Sequence, residues 1–390
     1  MSSNSIAIDA RSLTRPQRGM PLYVYMLCKL VPVRMPEYKF YLLINTAFEH
    51  NEGAEKYRCR LEKLALLPNV ELVDVKTEGE AQWELLKLPA VLRKLNVDLL
   101  HMPANRVCLT TFTPQVATFH DAMELKFLNE IYHMDNAKSL KEKFYVLKHK
   151  FYAWLIYRIG VLRVKDLITI SNFSKRSLVS ELGAMCGKAK VIYHGIPEDF
   201  KPIQNALELM ARKGVLMLGG DGYQKNPTNA IKAWAMLPND LKKQHPLRIM
   251  GFSGNEDSPI VKTIRELQLE NDIELKSWVS QEELVEAFQE SAALLFVSRE
   301  EGFGFPLVQA MACGTPAVIS QAEALLELSG DAALSAPAES AGEISKQLQQ
   351  IVSNSDVWQE LSENSLERAK EFTWDIFANK TVNVYLNALN

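Results

Sequence analysis

The chain has 390 residues, of which 47% are hydrophobic and 23% charged, and its formal net charge is −3. At roughly 150 residues per domain this length favours two domains, and the composition excludes disordered, collagen-like and disulfide-stapled proteins. The five scattered cysteines include no C-x-x-C pair, and no apolar run reaches the roughly 18 residues that span a bilayer. We therefore expect an ordinary cytoplasmic protein.

The charges are distributed unevenly. Residues 1–196 carry 28 Lys and Arg against 19 Asp and Glu, whereas residues 197–390 carry 16 against 28. Much of the basic excess lies in residues 138–165, where aromatic residues are interleaved. Such a segment is typical either of a solvated helix over a buried stripe or of a surface helix that meets an anionic membrane. The acidic second half disfavours binding of nucleic acid.

One local pattern occurs three times: a short strand, a glycine-bearing loop, and a helix with proline at its start. Proline at the first helical position and glycine beyond the last are typical of helix termini. The strands of the three copies are predicted at Ser5–Asp9, Val215–Leu218 and 292–298, and their helices open at Pro21, Pro227 and Pro306. Further strands are predicted at Lys39–Ile44, 70–75, 99–101, 115–119, 167–170, 190–193, 247–251, 273–275 and Ala317–Ser320.

Strands that alternate with helices predict parallel sheets covered on both faces. The strands form two sets, and the segment 195–202 between them has two prolines and no helical period, as expected of a linker. We therefore predict an α/β protein with two doubly wound, Rossmann-like domains that face a central cleft. Ligands of such sheets bind beyond the carboxyl ends of the strands.

Glycine loops that lead into helices can bind anions, because free backbone N–H groups and the helix dipole point to the loop. The loop with Gly302 and Gly304 is the best candidate, since both glycines admit close approach and Pro306 fixes the helix start. An ordinary strand-to-helix turn is the alternative. The chain has no G-x-G-x-x-G, P-loop or G-x-S-x-G motif. It also has no D-x-D pair, which could bind a diphosphate through a metal ion, so the charge of a diphosphate would have to be neutralised by Lys, Arg and backbone N–H groups.

Residues 298–318, which read SREEGFGFPLVQAMACGTPAV, resemble the signature of the retaining glycosyltransferases of family 4, which have the GT-B fold. The resemblance extends over nearly the whole chain, since further blocks match in order at 8–16, 19–23, 120–121, 168–175, 191–195, 219–226 and 372–374. It implies an N-terminal acceptor-side domain at 1–196, a nucleotide-sugar-binding domain at 197–370, and a C-terminal helix in 371–390 that crosses back to the first domain. It also implies sugar transfer with retention, without a metal or other cofactor.

The resemblance assigns roles residue by residue. Glu301 would hold donor-sugar hydroxyls, Lys225 would neutralise the diphosphate, and His120 would lie near the sugar's primary hydroxyl. A preformed cation is suited to a leaving phosphate because charge grows there in the transition state. Backbone contacts to sugar and phosphate would come from Gly19, Gly302, Phe303, Gly304, Phe305, Leu307 and Val308, and contacts to the nucleobase from Trp278 and Val279.

Two positions depart from the family pattern. Its second motif glutamate, which binds the ribose, is Gln309 here, and its arginine five residues before Lys225 is Gly220. Glutamine keeps one acceptor oxygen but loses the charge, which would weaken nucleotide binding by about 1–2 kcal/mol. The negative charge of the phosphates would then have to be neutralised by Lys225, by backbone N–H groups, and by one of the arginines at 11, 15, 18 and 299.

From the resemblance we predict a hexosyltransferase of envelope or extracellular polysaccharide assembly, with UDP-glucose as the first donor candidate and GDP-mannose as the second. Its acceptor would be a saccharide or a lipid-linked saccharide. On the second of the two interpretations given above for the basic residues 138–165, that segment would contact the anionic inner face of the cytoplasmic membrane. Two alternatives stay open. Gln309 and Gly220 suggest a catalytically weak GT-B binding or scaffold protein, and the same architecture serves nucleotide-sugar 2-epimerases.

Overall fold

The computed structural model describes residues 4–14, 19–48, 54–77, 79–126, 139–203, 212–277 and 279–390. The chain divides into two compact units. Unit 1 comprises Met1–His194 together with Trp374–Asn390, and unit 2 comprises Gly195–Thr373. Within the described ranges, no helix combines the length and the apolarity needed to cross a bilayer.

Unit 1 contains a seven-stranded parallel sheet in the order β3-β2-β1-β4-β5-β6-β7. Its strands are β1 (Ser5–Asp9), β2 (Lys39–Ile44), β3 (Val70–Asp74), β4 (Leu99–Met102), β5 (Gln115–Thr118), β6 (Asp166–Thr169) and β7 (Lys190–Val191). In β1, Ile6 and Ile8 belong to one hydrophobic core and Ala7 to another, and all three are fully buried. The sheet is therefore covered on both faces, as parallel sheets usually are.

The helices of unit 1 are α1 (Met20–Arg34), α2 (Ala54–Ala65), α3 (Glu80–Gln82), α4 (Leu88–Leu95), α5 (Met123–Lys126), α6 (Leu140–Arg158), α7 (Asn172–Leu182) and the last helix of the chain, α16 (Trp374–Leu389). A π-helical turn, Trp83–Lys87, separates α3 from α4. Helix α16 packs against α1 and β5. Its Tyr385 hydroxyl lies 2.5 Å from Nδ1 of the buried His101, so the C-terminal residues complete the core of unit 1.

Unit 2 contains a six-stranded parallel sheet in the order β10-β9-β8-β11-β12-β13. Its strands are β8 (Val215–Leu218), β9 (Leu247–Met250), β10 (Ile273–Lys276), β11 (Ala293–Phe296), β12 (Ala317–Ser320) and β13 (Ala333–Ala336). Its helices are α8 (Pro227–Ala235), α9 (Asn239–Gln244), α10 (Pro259–Glu266), α11 (Gln281–Glu290), α12 (Phe305–Ala312), α13 (Glu323–Ser329), α14 (Ala341–Ser353) and α15 (Ser355–Ala369).

The prediction of two Rossmann-like parallel sheets is confirmed. All predicted strands are present, with ends displaced by at most two residues, whereas β13 was not predicted. In each sheet the strand order reverses once, between β1 and β4 in unit 1 and between β8 and β11 in unit 2. At such a reversal the loops that follow the two strands turn to opposite faces and leave a crevice beyond the carboxyl ends.

Candidate functional site

Six of the thirteen predicted donor-binding residues lie in the two loops that flank the strand reversal of unit 2. Residues 219–226 follow β8 and lead into α8, and residues 297–304 follow β11 and lead into α12. Strands β8 and β11 are hydrogen-bonded neighbours, with Val215 in register with Ala293. The topology therefore brings together two segments that lie more than 70 residues apart in the sequence.

Hydrogen bonds hold these two loops to one another. The Arg299 N–H donates to the Gln224 carbonyl at 2.8 Å, and Gln224 Nε2 donates to the Glu300 carbonyl at 2.6 Å. Asn226 Nδ2 donates to the carbonyls of Val297 at 3.0 Å and Ala338 at 2.7 Å. The loops are thus fixed by main-chain and amide contacts that leave the Lys225 and Glu301 side chains for other interactions.

Lys225 and Glu301 form an ion pair at the centre of this arrangement. Lys225 Nζ lies 2.6 Å from Glu301 Oε1, and the two side chains are 37% and 12% exposed. The ammonium group also lies 5.7 Å from the centroid of the Phe296 ring. An ion pair with this degree of exposure contributes little to folding stability, so both groups can exchange partners at small cost.

Gly220 explains how Lys225 reaches this position. A Cβ atom at residue 220 would lie only 3.1 Å from Lys225 Cγ, closer than most side-chain contacts. The lysine stem therefore passes over a bare backbone. An arginine at residue 220, as in the family pattern, would require Lys225 to move, so the glycine is matched to the observed lysine conformation.

Gly304 fixes the start of α12. Its φ of +123° lies in a region that favours glycine, and a Cβ atom there would approach Leu325 Cδ2 to 2.7 Å. The amides of Leu307 and Val308 both donate to the Gly304 carbonyl, at 3.0 and 3.4 Å. A phosphate at this helix N-terminus would therefore share these two N–H groups with that carbonyl.

The remaining predicted donor residues of unit 2 have different surroundings. Phe303 is buried and packs against Phe305, with ring centroids 5.4 Å apart. Gln309 is half-buried on α12, and Val279 is half-buried just before α11. Trp278 lies outside the described residues.

Two of the four arginines that were considered as further phosphate ligands, Arg299 and Arg11, are already paired. Arg299 Nε and Nη2 donate to Glu339 at 2.6 and 3.1 Å, which lowers the pKa of that carboxyl group. In unit 1, Arg11 Nη2 lies 2.7 Å from Asp9 and 2.8 Å from Glu84, both buried carboxylates. The arginines at 15 and 18 lie outside the described residues.

His120 lies in unit 1, just beyond β5. Its Nε2 lies 2.9 Å from the Pro103 carbonyl, so Nε2 carries the proton and donates it. The backbone N–H donates to Asn105 Oδ1 at 2.6 Å. The ring packs edge-on against Tyr23 and stacks on His194, with centroids 4.9 and 5.6 Å away.

Burial determines the charge state of the histidines near β5. It lowers the pKa of His120 to about 4 and that of His101 to about 3, and it lowers the pKa of His194 well below its usual value. All three imidazoles are therefore neutral near pH 7. Since Nε2–H of the neutral His120 ring donates to the Pro103 carbonyl, Nδ1 is a hydrogen-bond acceptor at that pH, and the ring cannot supply positive charge.

Gly19 precedes α1 with a φ of +51°, and a Cβ atom there would meet nothing within 4 Å. The space around it is consistent with a backbone that a ligand can approach. The φ alone would strain most side chains.

Asn226 is the residue of this site to which sequence reasoning gave no role. It is fully buried, it adopts a left-handed φ of +57°, and its side-chain amide joins three chain segments. Asparagine tolerates this backbone region better than other non-glycine residues. The sequence Lys-Asn-Pro just before a helix is the signal that could have suggested a structural role.

Two family models match the chain. The model described as "Glycosyltransferase Family 4" matches residues 44–200, and the model described as "Glycosyl transferases group 1" matches residues 200–371. Among curated relatives, the O-antigen chain mannosyltransferase B of Escherichia coli is 26% identical over 230 residues, which are 57% of this chain and 60% of the relative. The MMP alpha-(1->4)-mannosyltransferase of Mycolicibacterium hassiacum is 27% identical over 251 residues, covering 62% and 59%. The matched region thus spans about 60% of the length of these relatives.

Solved structures agree on the fold. Sucrose-phosphate synthase from Thermosynechococcus elongatus superposes with a TM-score of 0.69 at 16% identity, covering 98% of both chains. HepE from Anabaena, solved in complex with UDP and glucose, superposes with a TM-score of 0.67 at 16% identity, covering 99% of both chains. The two family models together span residues 44–371. The chain therefore belongs to family 4 of the glycosyltransferases and has the GT-B fold.

Proposed function

We propose that this protein transfers a hexose from a nucleotide-diphosphate donor to a saccharide acceptor, with retention of the anomeric configuration and without a metal ion. The single observation that carries the proposal is the Lys225–Glu301 pair at the strand reversal of unit 2. It offers a cation and a carboxylate side by side in the crevice where ligands of doubly wound sheets bind.

The two members of the pair suit the two parts of a nucleotide-sugar. Lys225 would leave Glu301 and bind the donor diphosphate, while Glu301 would accept hydrogen bonds from sugar hydroxyls. As the bond between the anomeric carbon and the phosphate oxygen breaks, negative charge grows on the leaving phosphate. A cation placed there stabilises the transition state more than the bound donor and so accelerates the reaction.

We propose a mannosyl donor ahead of a glucosyl one, which reverses the order expected from the sequence. The support is the names of two curated relatives, an O-antigen chain mannosyltransferase and an alpha-(1->4)-mannosyltransferase. GDP-mannose and UDP-glucose are therefore the donors to compare first.

We propose a lipid-linked saccharide as the acceptor, in polysaccharide assembly at the inner face of the cytoplasmic membrane. The name of the E. coli relative, an O-antigen chain enzyme, supports a polysaccharide product. We propose that the reaction needs no metal ion for two reasons. The sequence has no D-x-D pair, and Lys225 would supply the positive charge that a metal ion supplies in other enzymes.

A donor panel tests the proposal. Thermal unfolding is measured with GDP-mannose, UDP-glucose, ADP-glucose and dTDP-glucose, since ligands of the native state raise its apparent stability. Hydrolysis and transfer are then followed with the stabilising donor, with and without EDTA, and the anomeric configuration of the product is read by NMR. Inversion or loss of activity in EDTA would contradict the corresponding part of the proposal.

The same panel separates the alternatives. A scaffold protein would be stabilised by a nucleotide but would show neither hydrolysis nor transfer. A 2-epimerase would convert UDP-N-acetylhexosamine into its epimer without any acceptor. Either result would contradict the proposed transferase activity and support the corresponding alternative.

A further inference from the structure

Helix α6 of unit 1 presents an apolar stripe to solvent. Phe144, Leu147, Phe151 and Trp154, the outer face of α6, are 70%, 57%, 60% and 43% exposed. Their spacing of three, four and three residues places them on one side of the helix. The Phe151 and Trp154 rings stack on each other, with centroids 6.0 Å apart, so these two form a joined aromatic surface in the second half of the stripe.

The opposite side of α6 holds the helix to unit 1. Ala153, Ile156 and Tyr157 are buried there. The Tyr152 hydroxyl donates to the buried carboxylate of Glu84. Because these inner contacts anchor the helix, the outer face is not needed for packing within unit 1. Contiguous exposed apolar surface of this kind marks an interaction site.

Basic residues surround the outer face. Between residues 143 and 165 the sequence has six Lys and Arg and no Asp or Glu. Lys143, Lys148 and Arg158 are exposed on α6 itself. Leu162, four residues beyond the end of α6, is also 60% exposed. Glu142 is the one acidic residue in the sequence of α6. Aromatic and aliphatic side chains flanked mainly by cations are the composition of helices that lie in the interface of anionic membranes.

We propose that the outer face of α6 inserts into the headgroup region of an anionic bilayer, with the flanking lysines and arginines on the lipid phosphates. This inference deepens the proposed function, because a membrane-bound α6 would hold unit 1 beside a lipid-linked saccharide. It rests on the proposed function only for the identity of that acceptor. Contact between two copies through this face would oppose like charges, and therefore a bilayer is the occupant that the charges favour.

The test uses the full chain and sedimentation with vesicles, in the absence of donor and acceptor. Vesicles of pure phosphatidylcholine are compared with vesicles that contain about 30% phosphatidylglycerol, at low and high salt. We expect about tenfold stronger binding to the anionic vesicles, reduced at high salt. F151A/W154A and K148E/R158E should each weaken this binding about tenfold, since they remove insertion and charge separately.

Matched controls lie elsewhere on the surface. Leu66 is 83% exposed and Lys262 is exposed on α10, so L66A and K262E should bind like the unchanged protein. Thermal unfolding verifies that every variant is folded. Equal binding to neutral and anionic vesicles, no binding at low salt, or binding that F151A/W154A leaves unchanged would each overturn the proposal. Because no donor is present, these outcomes are independent of whether the protein transfers a sugar.

Discussion

Replacing Lys225 with alanine should separate catalysis from stability. In the ligand-free protein Lys225 is 37% exposed and its partner Glu301 12% exposed, with 2.6 Å between Nζ and Oε1. Pairs that are partly exposed in this way contribute about 0.2–1 kcal/mol. The free energy of unfolding of K225A, measured in urea, should therefore fall by no more than about 1 kcal/mol.

The effect on the reaction should be larger. A lysine at about 4 Å from a phosphate charge contributes up to about 4 kcal/mol at an effective dielectric constant near 20, and a charge-assisted hydrogen bond about 1.5–3 kcal/mol. Taking about 3 kcal/mol as the loss in the transition state, kcat/KM for donor hydrolysis should fall about 150-fold. The assay is steady-state hydrolysis of the donor that the thermal panel selects.

Two results would refute this reasoning. A loss of less than about tenfold would show that Lys225 does not meet the leaving phosphate. A fall in stability large enough to unfold the protein under assay conditions would show that the pair serves the fold instead. E301Q is the matched control, because it keeps Lys225 and removes only the charge of its partner. If Lys225 acted only through Glu301, the two variants and their combination would lose the same activity.

Glu301→Ala should abolish transfer while the nucleoside diphosphate still raises the thermal stability; unchanged transfer would contradict a sugar-binding role. Gly304→Ala should lower the free energy of unfolding by about 1–3 kcal/mol because of its φ and the close leucine, whereas Gly222→Ala, with nothing within 4 Å of its Cβ position, should not. Burial lowers the pKa of His120 to about 4 and that of His101 to about 3, so below about pH 6.5 the unfolded chain takes up protons that the folded chain does not. The free energy of unfolding should therefore fall as the pH drops from 6.5 to 4, by up to about 1.4 kcal/mol per pH unit for each histidine, and equal stability at pH 7.5 and pH 5 would contradict their burial in the neutral form.

The fold was predictable from the sequence where local signals agreed with the tertiary arrangement. The prolines at 21, 227 and 306 each lie in the first turn of a helix, as their positions after glycine loops indicated. Strand β13 escaped prediction because Ala333–Ala336 reads Ala-Leu-Ser-Ala, which has no β-branched or aromatic residue. It forms an edge strand through its pairing with β12, and that pairing is a tertiary effect.

The site was predictable only in part. The resemblance supplied Lys225 and Glu301 separately, but that they form an ion pair follows from β8 and β11 being neighbours, which no local pattern reveals. The contact of Asn226 with Ala338 joins residues 112 positions apart. Likewise, nothing in the sequence shows that Lys225 passes over Gly220, because that contact depends on the course of the loop.

The two departures from the family pattern act on different parts of a donor. Glycine at residue 220 removes one positive charge and glutamine at residue 309 removes one negative charge, so the net charge of the site is the same as in the family pattern. The diphosphate would still face Lys225 and the N-terminus of α12, whereas the ribose would lose a charge-assisted hydrogen bond. Leaving-group stabilisation determines the rate and ribose contacts determine how tightly the donor binds. Compared with the family pattern, glutamine at residue 309 should therefore raise the KM for the donor, whereas glycine at residue 220, which removes a cation from the diphosphate, should lower kcat. Because Lys225 keeps part of the leaving-group stabilisation, we expect a slower and more weakly binding enzyme rather than an inactive scaffold.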